Sequence, residues 1–378
     1  MALPFDGLRV VALEQAVSAP FCSRQLADLG AEVVKVERPD GGDTARAYDG
    51  ALNGTSAYFA WLNRGKRSVI LDLKRNADRD VCARLIAGAD VLVHNLAPGA
   101  VERLGFGYDD LAKSHPRLVW CGISGYGPNG PMRDRKAYDM LVQAESGVVS
   151  VTGSDAEPAK VGISVADIAS GMYAYSSILA ALYARERTGK GDRIDISMFE
   201  CLTEWMTPPL YVWLGSERVV ARAGLRHNMI VPYGAYACSG GAVMLAIQTD
   251  REWRRFCAEV MGDPALADDT RFATNAVRVT NRVELEAIIE RRFAELTQAQ
   301  TLALLDAADI PTGAVNDVPA VATHPQLAAR GRWTTVASPT GDIPALLPPH
   351  NLSHGVPRMG RVPAHGEHTR EVIDALES

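Results

Sequence analysis

Several signatures that identify common protein classes are missing from this 378-residue chain. The six cysteines lie far apart and form no Cys-x-x-Cys pair, which argues against a zinc site or a disulfide framework and favours reduced thiols. No apolar run approaches the roughly 18 residues of a membrane-spanning helix, so we expect no membrane as a partner. The N-terminus lacks a basic region followed by a long apolar stretch. We therefore expect no signal peptide and predict a cytoplasmic protein.

Two nucleotide-binding loops are also missing. The first predicted strand is followed by EQAVSAP, without the G-x-G-x-x-G that holds a dinucleotide pyrophosphate, and no Walker A loop is present. These absences disfavour an NAD enzyme and a P-loop NTPase. The net charge of −6 argues against nucleic acid as a partner, although it is compatible with a local basic pocket.

What is present is typical of a globular enzyme with about two domains. Short apolar runs alternate with helical segments in the first half, which predicts an α/β fold with a parallel sheet and ligands at the carboxyl ends of its strands. The predicted strands are residues 8–13, 32–37, 68–73, 90–94, 118–124 and 193–198, and the predicted helices are residues 20–29, 77–87, 108–114 and 167–187.

The pattern changes beyond about residue 220, where amphipathic helices are predicted at residues 252–261, 283–296 and 298–307, with a strand at 242–247. The tail from residue 331 is rich in proline, glycine and histidine and resembles a surface strap. We therefore predict a large domain at residues 1–220, a small domain at 221–330, and a strap at 331–378 that returns to the large domain.

Cationic side chains gather near the predicted strand ends, which suits a polyanion such as a nucleotide phosphate. A solvated charged surface is the other interpretation, and composition alone favours it. The set comprises Arg38, Arg64, Lys66, Arg67, Lys74, Arg75, Arg103 and Lys136, with His94 and Asn95 ending the fourth strand. His365 and His368 have a spacing compatible with a metal, but no carboxylate or cysteine accompanies them, so we interpret them as structural.

A lone carboxylate, Asp167, opens the long predicted helix in the run VGISVADIASGMYA. As an N-cap it would accept a hydrogen bond from the amide of Ala169 or Ser170, which is the commonest role of such a residue. As a nucleophile it would be held in place and kept ionised by the helix dipole, among small neighbours that admit a bulky substrate. The two interpretations are compatible, and spacing does not separate them.

Seven segments occur in the order typical of one enzyme family and span almost the whole chain. They are residues 7–46, NRGKRSVILDLK (63–74), VHNLAPGAVERLG (93–105), ISGYGPNGP (123–131), VADIASGMYA (165–174), RERTGKGDRIDISM (185–198) and GEHT (366–369). On these segments the chain resembles the class III CoA-transferases, the group of formyl-CoA transferase and carnitine CoA-transferase. No single segment is specific, whereas their combination and order are.

The resemblance implies a Rossmann-like large domain built from both ends of the chain, a smaller α+β domain inserted between them, and an interlocked homodimer. It places the catalytic aspartate on Asp167. It implies no tightly bound cofactor and no metal, with a coenzyme A thioester as co-substrate. It places the CoA-contacting positions on Ala16, Val17, Arg38, Leu71, Lys74, Asn95, Leu96, Arg103 and Lys136.

The implied reaction moves CoA from an acyl-CoA to a free carboxylic acid. Attack of Asp167 on the thioester gives an acyl-aspartyl anhydride and CoA thiolate, and an aspartyl-CoA thioester forms on the way to the new acyl-CoA. Each intermediate stays about as activated as the starting thioester, so the site has to exclude water and stabilise oxyanions.

Two departures from the formyl-CoA transferase type bear on the substrate. Val17 stands where that type has a functional glutamine, and Gln15 is a candidate replacement. Residues 221–236 lack that type's glycine-rich loop; their Arg222, Arg226 and His227 either pair with the distal carboxylate of a dicarboxylic acid or serve as surface or dimer contacts. We expect a substrate of the succinate, mesaconate, itaconate, citramalate or glutarate kind, with transfer inside one dicarboxylate also open.

Two other functions compete. The related α-methylacyl-CoA racemases carry a histidine before an aspartate, where this chain has Tyr138, a poor base near neutral pH. A catalytically silent acyl-CoA-binding protein is the third interpretation, and the retained Asp167 argues against it.

Overall fold

The computed structural model describes residues 2–377. Its strands are β1 Arg9–Leu13, β2 Glu32–Glu37, β3 Arg67–Ile70, β4 Val91–His94, β5 Val119–Ser124, β6 Arg193–Ser197, β7 Tyr233–Cys238, β8 Gly241–Ala246, β9 Thr312–Ala314, β10 Trp333–Ser338 and β11 Gly341–Leu346. The α-helices are α1 Ser18–Asp28, α2 Ala57–Asn63, α3 Asn76–Ala87, α4 Ala100–Arg103, α5 Tyr108–Ser114, α6 Asp139–Glu145, α7 Val148–Val151, α8 Val165–Thr188, α9 Met198–Trp205, α10 Thr207–Ser216, α11 Asp250–Arg255, α12 Asn275–Thr280, α13 Arg282–Ala294, α14 Gln298–Ala307, α15 Val318–Ala322, α16 Pro325–Ala329 and α17 Thr369–Glu377.

The first six strands form one sheet in the order β3-β2-β1-β4-β5-β6, with every neighbouring pair parallel. The predicted α/β fold with a parallel sheet is confirmed, although β3 ends at Ile70 and not at the predicted residue 73. The strand order reverses between β1 and β4, which is where a doubly wound sheet leaves a crevice for a ligand.

Both faces of this sheet are covered, which explains why its strands are apolar runs. Val10 and Ala12 of β1 pack with α1, α6, α8 and α9, whereas Val11 and Leu13 pack with α3, α4, α5 and α17. The alternation of side chains along a strand therefore divides the core into two layers.

Helix α8 lies against α1 at Gly171, in the ASG of the VADIASGMYA segment. A Cβ at this position would lie 2.6 Å from the carbonyl oxygen of Ser18, so only glycine permits this approach. The contact brings the first turns of α1 and α8 together beside the sheet.

Helix α8 also corrects one expectation from the sequence. It is the one helix of residues 2–377 that is long and apolar enough to cross a membrane by length and composition. Its buried residues belong to the core around β1, β4 and β5. A core helix passes the same test, so the finding is weak evidence for a membrane.

The chain divides into two compact units, the first comprising residues 1–148, 160–211 and 328–378, and the second residues 149–159 and 212–327. In the second unit, β7, β8 and β9 form an antiparallel sheet covered by α11, α13 and α14 around Trp253, Phe256 and Phe293. The predicted helix 252–261 is α11 continued by a turn of π-helix over Phe256–Val260.

The tail contains a hairpin, β10–β11, and a terminal helix, α17, that the sequence analysis missed. The GEHT segment before α17 covers the free edge of β3: Nδ1 of His368 accepts from the Ser68 amide at 3.2 Å, and the Thr369 hydroxyl from the Ile70 amide at 3.0 Å. Nε2 of His365 lies 2.9 Å from the carbonyl oxygen of Arg38. These contacts give both histidines structural roles, and no group of metal-ligating residues occurs within the described residues.

Candidate active site

Two adjoining cavities lie at the carboxyl edge of the six-stranded sheet, both in the first unit. The basic cavity, of about 650 Å³, is lined by the ends of β1 and β2, the residues after β3, and α4. The aspartate cavity, of about 660 Å³, is lined by the residues after β1, β4 and β5 and by the first turn of α8. Gln15 and Leu96 line both cavities, so together they form one cleft at the point where the strand order reverses.

Asp167 lies half-buried in the wall of the aspartate cavity, in the first turn of α8. The helix begins at Val165, two residues before the predicted start. Its first turn is capped by Asp139 of α6, whose Oδ1 accepts hydrogen bonds from the amides of Ala166 at 2.7 Å and Asp167 at 3.3 Å. The expectation that Asp167 caps its own helix is therefore wrong, because another carboxylate occupies that place.

The surroundings of Asp167 make its negative charge costly. Burial, and then the charge of Asp139, raise the pKa of the Asp167 carboxyl from 3.8 to about 7. A shift of this size corresponds to about 4 kcal/mol, whereas a helix dipole typically contributes about 1 kcal/mol or less. The expectation that the dipole keeps Asp167 ionised is therefore wrong, since burial and the like charge outweigh it.

The loop after β1 contributes Ala16, Val17 and Ser18 to the wall of the aspartate cavity. Ala16 has a left-handed backbone with φ 61°, a conformation that costs an alanine about 1–3 kcal/mol. Oδ1 of Asp43 holds this residue by accepting from the Ala16 amide at 2.9 Å. The chain can then turn at once into α1, which starts at Ser18.

Asn95 joins this loop to the end of β4. Its Oδ1 accepts from the Gln15 amide at 3.0 Å, and its Nδ2 donates to the Gln15 carbonyl at 2.8 Å and to the Ser18 hydroxyl at 3.0 Å. Asn95 thus connects the end of β4 to the loop after β1, which lie on the two sides of the point where the strand order reverses. It also lines the aspartate cavity.

A buried group of charges underlies the cleft and was missed by the sequence analysis. Nζ of Lys35 lies 2.7 Å from Asp43 Oδ2 and 3.4 Å from Glu14 Oε1, and Nζ of Lys66 lies 2.6 Å from Glu14 Oε1. Burial opposes the Glu14 charge, but the two lysines outweigh it and lower the pKa of this carboxyl. Burial lowers the pKa of Lys66 to about 8, despite the opposing effect of Glu14.

The structure separates the predicted cationic residues into two groups. Arg38, Lys74 and Arg103 line the basic cavity with Leu71, and Lys136 lines the aspartate cavity. The first three are brought together from the ends of different strands, as a phosphate-binding wall requires.

Arg75 is exposed and lines neither cavity. Three others have partners inside the protein, so the polyanion interpretation is wrong for them. Arg64 lies 2.9 Å from Asp28, Lys66 binds Glu14, and Arg67 lies 2.9 Å from Glu371. His94 is buried against Trp120, and burial lowers its pKa to about 4, so it adds no positive charge near neutral pH.

The aspartate cavity also contains residues that sequence reasoning did not identify as a site. They are Thr44, Tyr48, Tyr58, Ser124, Arg135, Tyr138 and Asp139. The rings of Tyr48 and Tyr58 meet edge to face at 5.7 Å. Tyr48 lies in an irregular segment, where periodicity carries no signal, and the side chains meet only through the tertiary fold.

The three predicted substrate residues of the 221–236 segment belong to the second unit, where each has partners. Arg222 donates to the backbone carbonyls of Ser154 at 2.8 Å and Asp155 at 3.1 Å. Arg226 pairs with Glu286 at 3.2 Å and Glu290 at 2.8 Å, and the His227 ring stacks on Tyr233.

A family model described as CoA-transferase family III matches residues 5–369. The chain belongs to this family. Among similar proteins, acetyl-CoA:oxalate CoA-transferase of Acetobacter aceti is 39% identical over 329 residues, covering 86% of this chain and 84% of that protein. Succinate–glutarate CoA-transferase of Agrobacterium fabrum is 35% identical over 386 residues, covering 99% and 96%.

Solved structures agree with this membership. A CAIB/BAIF family protein from Brucella suis has a TM-score of 0.88 and 35% identity, over 100% of both chains. The predicted family is confirmed, and the chain is a family III CoA-transferase.

Proposed function

We propose that this family III transferase moves CoA from an acyl-CoA thioester to a free dicarboxylic acid through covalent intermediates on Asp167. The observation that carries this proposal is the cleft itself. At one end stands a half-buried carboxylate whose pKa is raised to about 7, and at the other stand Arg38, Lys74 and Arg103, which suit the phosphates of CoA.

In the proposed reaction, a carboxylate oxygen of Asp167 attacks the thioester carbonyl, the C–S bond breaks, and CoA leaves as the thiolate. The mixed anhydride that remains is attacked at the aspartyl carbonyl by the thiolate, which releases the donor acid and gives an aspartyl-CoA thioester. The acceptor carboxylate then attacks this thioester and expels the thiolate. Attack of the thiolate on the acceptor carbonyl of the new anhydride gives the new acyl-CoA and restores Asp167.

The environment of Asp167 suits this chemistry. Desolvation makes an ionised carboxylate a stronger nucleophile than it is in water, and the raised pKa of about 7 reflects the same desolvation. The apolar side chains of Val17, which is buried, and Leu96, which is partly buried, also limit access of water to the anhydride.

Trapping the covalent intermediates tests this proposal directly. The enzyme is incubated with a set of acyl-CoAs that includes succinyl-CoA, quenched rapidly, treated with hydroxylamine, and digested for mass spectrometry. We expect CoA or a hydroxamate on the Asp167 peptide, and none in Asp167→Ala. An unmodified peptide from enzyme that binds and turns over its CoA substrate would contradict the mechanism.

A dicarboxylate acceptor is supported by the relatives, whose names specify oxalate, glutarate and mesaconate. We propose Gln15, Arg222, Arg226 and His227 as substrate residues. A bound dicarboxylate would have to replace the contacts that Arg222 makes with two backbone carbonyls and those that Arg226 makes with two glutamates. Arg222→Ala and Arg226→Ala should raise the KM for a dicarboxylate acceptor about tenfold while leaving the KM for acyl-CoA unchanged, because each removes a charge-assisted hydrogen bond. An unchanged acceptor KM in both variants would refute this role.

The proposed CoA-phosphate contacts predict a different kinetic effect. In Lys74→Ala/Arg103→Ala, the KM for acyl-CoA should rise about 10- to 100-fold with little change in kcat, because binding to the phosphates is lost equally in the ground and transition states. In the wild type, added salt should screen these contacts and raise the KM for acyl-CoA. In the double variant, this dependence of KM on ionic strength should be weaker. Lys113→Ala on the exposed surface of α5 serves as the matched control, and equal KM values in both proteins would exclude the contacts.

A racemase would need two proton-transfer groups at the α-carbon. Tyr138, at the position of the racemase histidine, lies in the aspartate cavity and is 73% exposed, and no histidine of residues 2–377 lines that cavity. We therefore expect no exchange of the α-hydrogen of an acyl-CoA with deuterated solvent.

We further propose that the protein is a cytoplasmic, interlocked homodimer without a tightly bound cofactor. We also propose that its domains are a large domain at residues 1–220, a small domain at 221–330 and a strap at 331–378. Exposed apolar side chains on α10, namely Tyr211, Trp213 and Leu214, support a partner chain. Light scattering should give twice the chain mass of 40.7 kDa.

A further inference from the structure

Two side chains of helix α6 make hydrogen bonds to the segment that carries Asp167. Asp139, the first residue of α6, accepts two amides of α8 on Oδ1 and the Nε2 of Gln143 on Oδ2 at 2.7 Å. Gln143, one turn later, is fully buried, and its Oε1 accepts from the Val161 amide at 2.8 Å. The pair thereby ties the loop before α8 and the first turn of α8 to one helix.

We propose that Asp139 and Gln143 act as a pair of positioning residues that hold Asp167 for nucleophilic attack. The inference rests on the proposed function. Asp139 occupies the anion site at the start of α8, which an aspartate in the first turn would otherwise fill with its own carboxylate. The Asp167 side chain is left in the cavity wall, with its carboxylate available to the thioester.

The same arrangement has an electrostatic consequence. The charge of Asp139 adds to burial in raising the pKa of Asp167 to about 7. The other charged or titratable groups in the cavity wall are Tyr48, Tyr58, Arg135, Lys136 and Tyr138. Of the helices that pack on α8, α1 carries Cys22, Arg24 and Asp28, α9 carries Glu200, Cys201 and Glu204, and α6 carries Glu145, while Asp139 is the charge that raises the pKa of Asp167. Burial raises the pKa of both thiols. Of the residue types in this wall, only carboxylates normally titrate between pH 4 and 8.

The test compares pH profiles of kcat/KM for the wild type, Asp139→Asn, Gln143→Met and Glu186→Gln. Glu186 lies near the other end of α8, about 28 Å from Asp167 by helical rise, so its variant is a matched loss of one charge. Thermal unfolding of every variant checks the fold, and single-turnover trapping of the Asp167 adduct against pH gives a second profile where turnover is low.

For Asp139→Asn we expect kcat to fall at least about tenfold and the KM for acyl-CoA to stay within about threefold. The acid limb of the pH profile, where kcat/KM falls as pH decreases, should move to lower pH by roughly half a unit or more. The direction follows because loss of a neighbouring negative charge makes Asp167 easier to ionise. Gln143→Met should lower kcat without moving the acid limb, since the charge of Asp139 remains. Glu186→Gln should match the wild type in both respects.

An acid limb that does not move in Asp139→Asn, whether or not kcat falls, would overturn the inference, because a merely structural role predicts that result. This failure differs from failure of the proposed function. If Asp167 is trapped as an adduct in the wild type, the function stands and only the positioning role is lost. If no adduct forms in the wild type, the function itself fails.

Discussion

Replacing Asp167 with asparagine is expected to reduce CoA transfer at least about 10³-fold while making the folded protein more stable at pH 8. The loss of activity follows from the proposed mechanism, because an amide supplies no nucleophilic oxygen for the anhydride. The gain in stability follows from the raised pKa of Asp167, since a neutral amide avoids the cost of holding a charge beside Asp139 in a buried wall.

The pH dependence of that stability gain has a definite sign. The folded-state pKa of Asp167 is about 7 and its ordinary value is 3.8, so between these pH values the unfolded chain is ionised while the folded protein still holds the proton. The contribution of Asp167 to the free energy of unfolding therefore falls as pH rises from about 4 to 7, by at most about 4 kcal/mol. The Asp167→Asn variant lacks this decrease of stability with pH.

Urea unfolding of both proteins at pH 4.5 and pH 8 measures the effect. The stability difference should be small at pH 4.5 and reach a few kcal/mol in favour of Asp167→Asn at pH 8. Asp374→Asn, on the exposed side of α17, controls for the loss of one carboxylate and should show no such growth with pH. Equal unfolding free energies of wild type and Asp167→Asn at pH 8 would mean that the folded protein does not raise the pKa of Asp167.

The sheet was predictable because both of its faces are buried. A strand covered on both sides reads as an apolar run, and β1, β2, β4 and β5 each lie within two residues of such a predicted strand. The edge strand β6, RIDIS, was predicted instead from its alternation of apolar and polar residues. The helices α2, α6 and α9, of seven or eight residues, were not predicted, whereas α5, also of seven residues, was.

The candidate site was predictable only in part, and the resemblance supplied most of it. Asp167, Arg38, Lys74 and Arg103 came from motif positions, and the structure gathers them along one cleft. The capping of α8 by Asp139, 28 residues before Asp167, is a long-range contact that no local pattern encodes.

The basic segment NRGKRSVILDLKR shows the same limit in another way. Lys66 and Lys74 are alike in composition and neighbourhood, but Lys66 is buried on Glu14 whereas Lys74 faces the basic cavity. Which lysine is structural depends on where β3 begins and ends relative to β1, and the sequence pattern does not specify that register.

A similar ambiguity surrounds Lys35, for which we predict the largest loss of stability. The sequence analysis gave this lysine of the strand EVVKVE no role, whereas its side chain is fully buried between Asp43 and Glu14. Burial opposes its charge, but Glu14, Asp43 and Glu37 outweigh burial and raise the pKa of Lys35. The buried carboxylates therefore depend on this ammonium group.

Lys35→Met should lower the free energy of unfolding by about 3–5 kcal/mol, because it leaves buried Asp43 without its counter-ion and Glu14 with Lys66 alone. The KM for acyl-CoA should also rise about tenfold, since Asp43 holds the left-handed Ala16 in the cleft wall. Urea unfolding and steady-state kinetics measure the two effects. Lys113→Met, which breaks only an exposed pair with Asp110, should cost about 1 kcal/mol or less.

The double variant Lys35→Met/Asp43→Asn separates the loss of a charge pair from the loss of packing. An asparagine at residue 43 retains an oxygen for the Ala16 amide but no longer carries a charge that needs Lys35. We therefore expect the double variant to be more stable than Lys35→Met alone, with a lower KM for acyl-CoA. If the second substitution makes the protein still less stable, then Lys35 stabilises the fold through its packed methylene chain, and the Ala16 loop is held independently of the buried charges.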